Sequence, residues 1–298
     1  MTTSPRVHVV VLNWNRPADT IECIQSLLAQ TYAETQIWLV DNGSTDDSVA
    51  LVTARFPDIG LVRHQTNLGF AAGNNGGIRA ALAAGADYVW LLNNDTVVAA
   101  DAVANLVRLA QTEANVGAIG ARVVYYDQPD RLWLGGMRFR HGIYFVQLGE
   151  QKGLDYSQVL DVDFVSGCAM FLPRPVLDTI GLLDEQYFMY YEDLDYCFRL
   201  KRTGWRILYT PNAVVRHKVS QSMDGGRSPY KQYLNIGSAL RFYSRNLRGL
   251  NRAFNVAIRL AHAVLVLFSL LVNRRFDPAN IGWYLRGVWS AVKSPRSR

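Results

Sequence analysis

Much of what this 298-residue sequence lacks is informative. It has three cysteines, Cys23, Cys168 and Cys197, with no paired spacing. That disfavours a disulfide scaffold or a cysteine zinc cluster and fits a reducing compartment. No G-x-G-x-x-G follows the first apolar run. "LNWNRP" stands there instead, which argues against a dinucleotide-binding enzyme. "GFAAGNNGGIR" lacks the Gly-Lys-Ser/Thr ending of a phosphate loop, and no G-x-S-x-G nucleophile elbow occurs. The opening "MTTSPRVHVVVLNWN" has no charged-then-apolar pattern ending in small residues, so it reads as a first strand and not as a secretion signal. The charge-free run Leu260 to Val272 is 13 residues long. A bilayer span needs about 20. Internal repeats and low-complexity runs are absent.

Acid is scarce toward the C-terminus. Arg216 to Arg298 holds 15 basic residues against two acids, Asp224 and Asp277, while Met1 to Val215 holds 16 against 23. A body of net −7 therefore carries a tail of net +13, which suggests a polyanion: nucleic acid or an anionic membrane surface. The apolar stretch in the tail favours lipid over nucleic acid. With 49% hydrophobic and 19% charged residues, the chain can build an ample core without staples, as one domain or one domain plus an appendage.

Strands and helices alternate. "VHVVVLNWN" is a β-branched run expected of a buried parallel strand. "ADTIECIQSLLAQT" has Ile21, Ile24, Leu27 and Leu28 on one helical face. "QIWLVDNGS" is a second strand. "STDDSVALVTARF" is a helix with Ser44 and Asp47 as a capping signature, and Asp46 and Asp47 favoured by its dipole. "IGLVRH", the helix entered through "GFAAGNNGGIRAALAAG", the strand "DYVWLLNND", the helix "ADAVANLVRLAQTE" and the strand "NVGAIGARVVYY" follow. This period predicts an α/β domain with a mostly parallel central sheet flanked by helices. Ligands then bind at the strands' carboxyl ends, where "NWNRP", "VDNGS" and "LNND" all fall. Farther on, "LWLGGMRFRHGIYFVQLGE" reads as a hairpin. "DVDFVSGCAMFLPRPVL" reads as a strand, a turn and a proline-started helix, and "WRILYTPNAVVRHK" as two short strands around Pro211. "SQSMDGGRSPY" is the best boundary. Beyond it the tail is helical and amphipathic, with a last helix in "NIGWYLRGVWSAVK".

Four places bear chemistry. Asp95 ends an apolar strand between polar turn residues and suits an oxygen ligand for Mg²⁺ or Mn²⁺; a plain Asn/Asp-capped turn explains it equally. Asp41 occupies the matching place one strand earlier. His217 ends "AVVRHK" and could complete a mixed oxygen–imidazole site or be structural. "YYEDLDYCFRLKRTGW" opens a helix with Glu192, Asp193 and Asp195. All three suit a helix start, and Asp195 with Arg199 reads as a surface i,i+4 pair. One could instead be a general base, and spacing alone does not choose.

Taken together, "VVVLNWNRPADTIECIQSLLAQTY", "IWLVDNGSTDDS", "NLGFAAGNNGGI", "VWLLNNDTVV", "FVSGCAMFLPRPVLDTIGLLDEQYFMYYEDLDYCFRLKRTGW" and "VVRHK" resemble family 2 glycosyltransferases, and among them the bacterial rhamnosyltransferase-like branch. The resemblance covers roughly Arg6 to Lys218. It implies a GT-A, Rossmann-like fold over residues 1–219, with a nucleotide-sugar half to about 125, an acceptor half over 126–219, and a basic helical appendage over 220–298. It further implies inverting sugar transfer from a dTDP- or UDP-linked sugar, rhamnose among the candidates, to a glycan or lipid-linked hydroxyl, with a divalent metal. Asp95 and His217 are the implied metal ligands and Asp193 the implied base. The implied nucleotide-sugar contacts are Asn13, Asn15, Asp41, Asn42, Asn67, Gly73, Asn74, Asn93, Asn94 and Asp95, with Glu192 and Gly167 on the acceptor side. Asn93 stands where the family's motif usually has its first aspartate, which should weaken metal affinity. The expected location is cytoplasmic, peripheral on the inner face of the plasma membrane through the tail helices; packing on the body or a homodimer is the alternative. A nucleotidyltransferase and a non-catalytic polyanion-binding protein are the competing functions.

Overall fold

The computed structural model describes residues 4–140, 144–147, 155–219 and 229–272. In chain order its elements are β1 (Val7–Asn13), α1 (Pro17–Leu28), β2 (Thr35–Asn42), α2 (Ser48–Arg55), β3 (Gly60–His64), α3 (Gly69–Ala83), β4 (Tyr88–Asn93), β5 (Thr96–Val98), α4 (Ala102–Thr112), β6 (Val116–Tyr125), β7 (Gln128–Leu134), β8 (Met137–Arg140), β9 (Tyr144–Gln147), β10 (Leu160–Val162), β11 (Ala169–Pro173), α5 (Arg174–Ile180), α6 (Glu192–Arg202), β12 (Arg206–His217), α7 (Pro229–Asn246) and α8 (Gly249–Val272). The main sheet runs β10-β12-β6-β11-β4-β1-β2-β3, with β5 added to β12 and β7 to β6.

β3, β2, β1 and β4 are parallel, so their carboxyl ends share one edge. β11 enters antiparallel between β4 and β6, and β12 lies parallel to β6. The valines of β1 are buried on both faces, which is why the strand reads as a continuous apolar run. Val7, Val9 and Val11 meet Cys23, Ile24 and Leu27 of α1 on one side. Val10 meets Val40 and Ile78 of α3 on the other. Gly77 lets α3 lie close: a Cβ there would stand 2.4 Å from Val10 Cγ1 and 2.6 Å from Val40 Cγ2.

The hairpin is present as β8 paired antiparallel with β9. Two local expectations are corrected. Residues 206–217 form one strand and not two, with a register shift between Tyr209 and Val214 that accommodates Pro211, a residue with no N–H to offer the ladder. The Ser44–Asp47 capping pair does not form, because Ser44 Oγ accepts from Asn13 and from the Asn15 backbone; Asp46 Oδ1 instead takes the Ser48 N–H at 3.0 Å. "GFAAGNNGG" does open a helix, which starts at Gly69 itself.

The boundary stretch up to residue 228 and the helix expected in "NIGWYLRGVWSAVK" lie outside the described residues. α7 lies on the body: Ala239, Phe242, Tyr243 and Leu247 join the core cluster that holds Tyr187, Leu194 and Tyr196. No helix among the described residues is long and apolar enough to cross a membrane.

Candidate active site

The carboxyl edge of the parallel strands gathers the polar turns. At the end of β1 the chain turns through Asn15 and Arg16, both left-handed at φ 58° and 67°. That turn is held from across the sheet: Asn13 Nδ2 donates to Ser44 Oγ at 3.1 Å, and Thr45 N donates to Asn15 Oδ1 at 2.9 Å. Asn13 Oδ1 accepts from Thr20 Oγ1 at 2.7 Å and from Asn94 Nδ2 at 3.2 Å. Asp41, buried at the end of β2, accepts from Ser44 N at 3.3 Å. Asn42 Nδ2 donates to Asn67 Oδ1 and to the Gly69 carbonyl, both at 3.0 Å, and its Oδ1 receives Leu68 N. Asn74 Nδ2 donates to the Phe70 carbonyl at 3.0 Å, and Gly73 lies against Leu12 and Asn42. These amides set the shape of the rim and make it a preformed polar edge.

Asp95 and His217 meet although 122 positions separate them in sequence. β5 pairs antiparallel with β12, setting Thr96 opposite His217. His217 Nε2 then lies 3.1 Å from Asp95 Oδ1, with both side chains buried. Trp133 packs edge-on against the imidazole at 4.5 Å between centroids, and His217 Nδ1 is buried with no hydrogen-bond partner. Burial works to lower the imidazole pKa; the Cys168 thiol and the Asp95 carboxylate outweigh it and push it up to about 10. The pair therefore attracts one positive charge, a proton or a cation. A carboxylate oxygen beside an imidazole nitrogen fits a borderline divalent ion such as Mn²⁺. Among the described residues no group of three or more His, Cys, Asp or Glu gathers to hold an ion. An ion here would need further ligands beyond this pair.

Glu192 and Asp193 open α6 directly after Tyr190 and Tyr191, both left-handed at φ 69°. Two consecutive non-glycine residues in that region cost about 1–2 kcal/mol each. This strain sits just before the two carboxylates. Gly167 N donates to Asp193 Oδ2 at 3.0 Å and Leu194 N to Oδ1 at 2.8 Å. Burial pushes the Asp193 carboxyl up, against these N–H donors. Glu192 is pushed up further by burial and by Asp193, and its Oε2 is buried without a partner. Of the two, Asp193 carries the backbone donors that stabilise a carboxylate, and Glu192 does not. Asp195 departs from the surface-pair reading. It does pair with Arg199 at 3.0 Å, but it is buried and also accepts from Tyr187 Oη at 3.3 Å and Asn246 Nδ2 at 2.9 Å, joining α6 to α7.

Ser166-Gly167-Cys168 ties the two centres together. Gly167 holds Asp193, while the Cys168 carbonyl accepts from Asn93 N at 2.9 Å and its thiol faces His217. Sequence reasoning passed over Ser44, Thr20, Cys168 and Lys218. Lys218 Nζ bonds Asp19 at 2.7 Å and also Glu22, anchoring the end of β12 to α1. Its place beside His217 was the one available signal. Asn75 was missed as well: it bonds both the N–H and the carbonyl of Leu183, fastening the loop before α6 to α3.

Comparison with known proteins agrees with this arrangement. A family model described as glycosyltransferase like family 2 matches residues 5–229. N-acetylglucosaminyl-diphospho-decaprenol L-rhamnosyltransferase of Mycobacterium tuberculosis is 30% identical over 227 residues, covering 69% of this chain and 73% of that protein. A low-salt glycan biosynthesis hexosyltransferase of Haloferax volcanii is 24% identical over 241 residues, covering 80% and 75%. Among solved structures, a Pyrobaculum calidifontis mannosyltransferase in complex with GDP-Man and Mn²⁺ superposes with a TM-score of 0.60 at 18% identity, over 98% of this chain and 87% of that one. GalNAc-T7 with UDP, GalNAc and Mn²⁺ gives 0.61 at 15% identity over 82% of this chain, which spans about half (52%) of that structure.

Proposed function

The chain belongs to the family 2 glycosyltransferases, and on that premise we propose that it transfers a sugar, with inversion, from a dTDP- or UDP-linked donor to a hydroxyl of a glycan or lipid-linked acceptor. The observation that carries the reading is the Ser166–Cys168 tether, which brings a carboxylate held by N–H donors and an Asp–His pair to one strand edge. Rhamnose is the first sugar to test, since the mycobacterial relative is a rhamnosyltransferase.

Asp193 accepts the proton of the attacking hydroxyl, and burial makes its carboxylate a stronger base than a free aspartate. Glu192 beside it lies on the acceptor side with Gly167. A single base and direct displacement give inversion, so no second carboxylate nucleophile is needed. Asp41, Asn13, Asn15, Asn42 and Asn67 frame the nucleotide, and Gly73 and Asn74 back them from α3. Asp95 Oδ1 and His217 Nε2 would hold a divalent ion, Mg²⁺ or Mn²⁺, which when bound neutralises charge growing on the leaving diphosphate. Asn93 in place of a carboxylate reduces the charge offered to that ion.

The same reading puts the protein on the cytoplasmic face of the plasma membrane, held through its C-terminal helices. A relative acting on a diphospho-decaprenol supports this, as does the exposure of Leu250, Phe254 and Ile258 on α8. A screen of nucleotide sugars for release of nucleoside diphosphate, with the anomeric configuration of the product read by NMR, tests the chemistry. Retention would overturn inversion, and release of pyrophosphate would mark a nucleotidyltransferase.

A further inference from the structure

A depression of about 1000 Å³ opens between α6, α7 and the start of α8. On α6 it uses Asp195, Arg199 and Arg202, which lie across the helix from Asp193, so it is not the strand-end cleft. Five arginines line it, Arg199, Arg202, Arg245, Arg248 and Arg252, against the carboxylates of Asp184 and Asp195. Two arginines are already engaged. Arg199 pairs with Asp195 at 3.0 Å and donates to the carbonyls of Ile180 and Leu182; Arg245 pairs with Asp184 at 2.9 Å. Arg202, Arg248 and Arg252 are exposed and form no ion pair with a carboxylate among the described residues. The depression thus presents three unneutralised guanidinium forks, donors whose geometry matches phosphate oxygens.

The neighbouring helix indicates where the phosphate comes from. Leu250, between Arg248 and Arg252, is 88% exposed. With Phe254, Ile258, Leu265 and Phe268, also exposed, it forms one stripe along α8. Over the first half of α8 the side turned to the body mixes polar and apolar groups: Asn255 is buried, Arg259 reaches Tyr243 Oη at 3.5 Å and Val256 packs on the core. The exposed stripe opposite them is an apolar face without a partner among the described residues, the face a helix lying in a lipid interface presents. Between residues 229 and 272 there is no Asp or Glu. A two-fold homodimer through this face would set arginines against arginines, whereas an acidic lipid surface supplies the opposite charge.

We infer that the Arg202–Arg248–Arg252 depression binds the phosphate of an acidic phospholipid headgroup while the α8 stripe enters the lipid beside it. This rests on the membrane reading above and names its headgroup site. The test is flotation of the full chain with vesicles of phosphatidylcholine and with an equal mixture of phosphatidylcholine and phosphatidylglycerol. Wild type should partition onto the mixed vesicles. The triple variant Arg202→Ala, Arg248→Ala, Arg252→Ala, with an unchanged melting temperature, should lose about a hundredfold in partition at about 1 kcal/mol per removed charge. The corresponding triple lysine variant should lose part of the binding, because it keeps the charge without the fork. A triple alanine or lysine variant that partitions like wild type overturns the headgroup site and leaves membrane attachment standing. Wild type that binds neither vesicle overturns both. Thermal stabilisation by inorganic phosphate without vesicle binding would assign the site to a soluble anion and overturn the lipid.

Discussion

At the residue scale, two adjacent acids differ in their surroundings. Asp193 receives two backbone N–H groups, which favour its charged form, while Glu192 has a buried oxygen without a partner and burial pushes its carboxyl well up. Asp193→Asn should lower turnover by about a hundredfold or more. Calorimetric affinity for the donor nucleotide should change little if Asp193 serves the acceptor as proposed; wild-type turnover would remove it from the mechanism. Glu192 carries a pH signature. Unfolded, it releases its proton near the ordinary 4.5; folded, its pKa is well above that. Between the two the folded chain holds a proton that the unfolded chain has lost, so stability falls as pH rises through that window. Glu192→Gln should flatten the fall in melting temperature across the window and melt higher than wild type above it, as a pH series of thermal scans would show. For His217→Ala the expected readout is metal dependence: a higher Mn²⁺ or Mg²⁺ concentration for half-maximal activity, compared with wild type after chelation.

At the element scale, α3 is the hinge of the design. Its small residues place it against β1 and β2, and Asn75 fastens it to the loop leading into α6. Gly77→Ala would drive a methyl into Val10 and Val40, an overpacking cost of about 1–3 kcal/mol to be read by denaturant unfolding. Asn75→Ala leaves the Leu183 N–H and carbonyl without their partner, a loss of about 2 kcal/mol. Because that loop delivers Tyr190, Tyr191 and Asp193, this variant should also lower turnover under conditions where it remains folded. β12 acts similarly from the other side, bringing His217 to Asp95 while Lys218 pins its end to α1.

At the scale of the whole molecule, the sheet is the scaffold and α7 completes one of its faces. Phe242, Tyr243 and Leu247 cover Tyr187 and Leu194, and Asn246 closes on Asp195. A fragment of residues 1–219 should therefore expose this face and aggregate or melt well below the full chain, while a fragment of residues 1–248 should stay folded. Equal melting of the two fragments would show α7 to be an appendage after all. α8 lies outside this logic, because its apolar stripe faces away from the core.

The alternation of buried strands and amphipathic helices determined the α/β class without any structure, because periodicities of two and 3.6 residues record which faces are buried. Strand-end turns marked Asp41 and Asp95, since such turns in a parallel sheet share an edge wherever they fall in sequence, whereas Asp193 was singled out only by the family resemblance. Tertiary structure decided the rest. That Asp95 touches His217 depends on β5 pairing with β12. That Asp193 differs from Glu192 and Asp195 depends on Gly167, Tyr187 and Asn246, all supplied by other segments. The capping pair was misread because local propensity is outweighed when a distant partner, Asn13 for Ser44, fixes what a side chain can do. Spacing along a chain carries local preference; burial and long-range hydrogen bonds, which set charge and reactivity, arise only when the chain closes on itself.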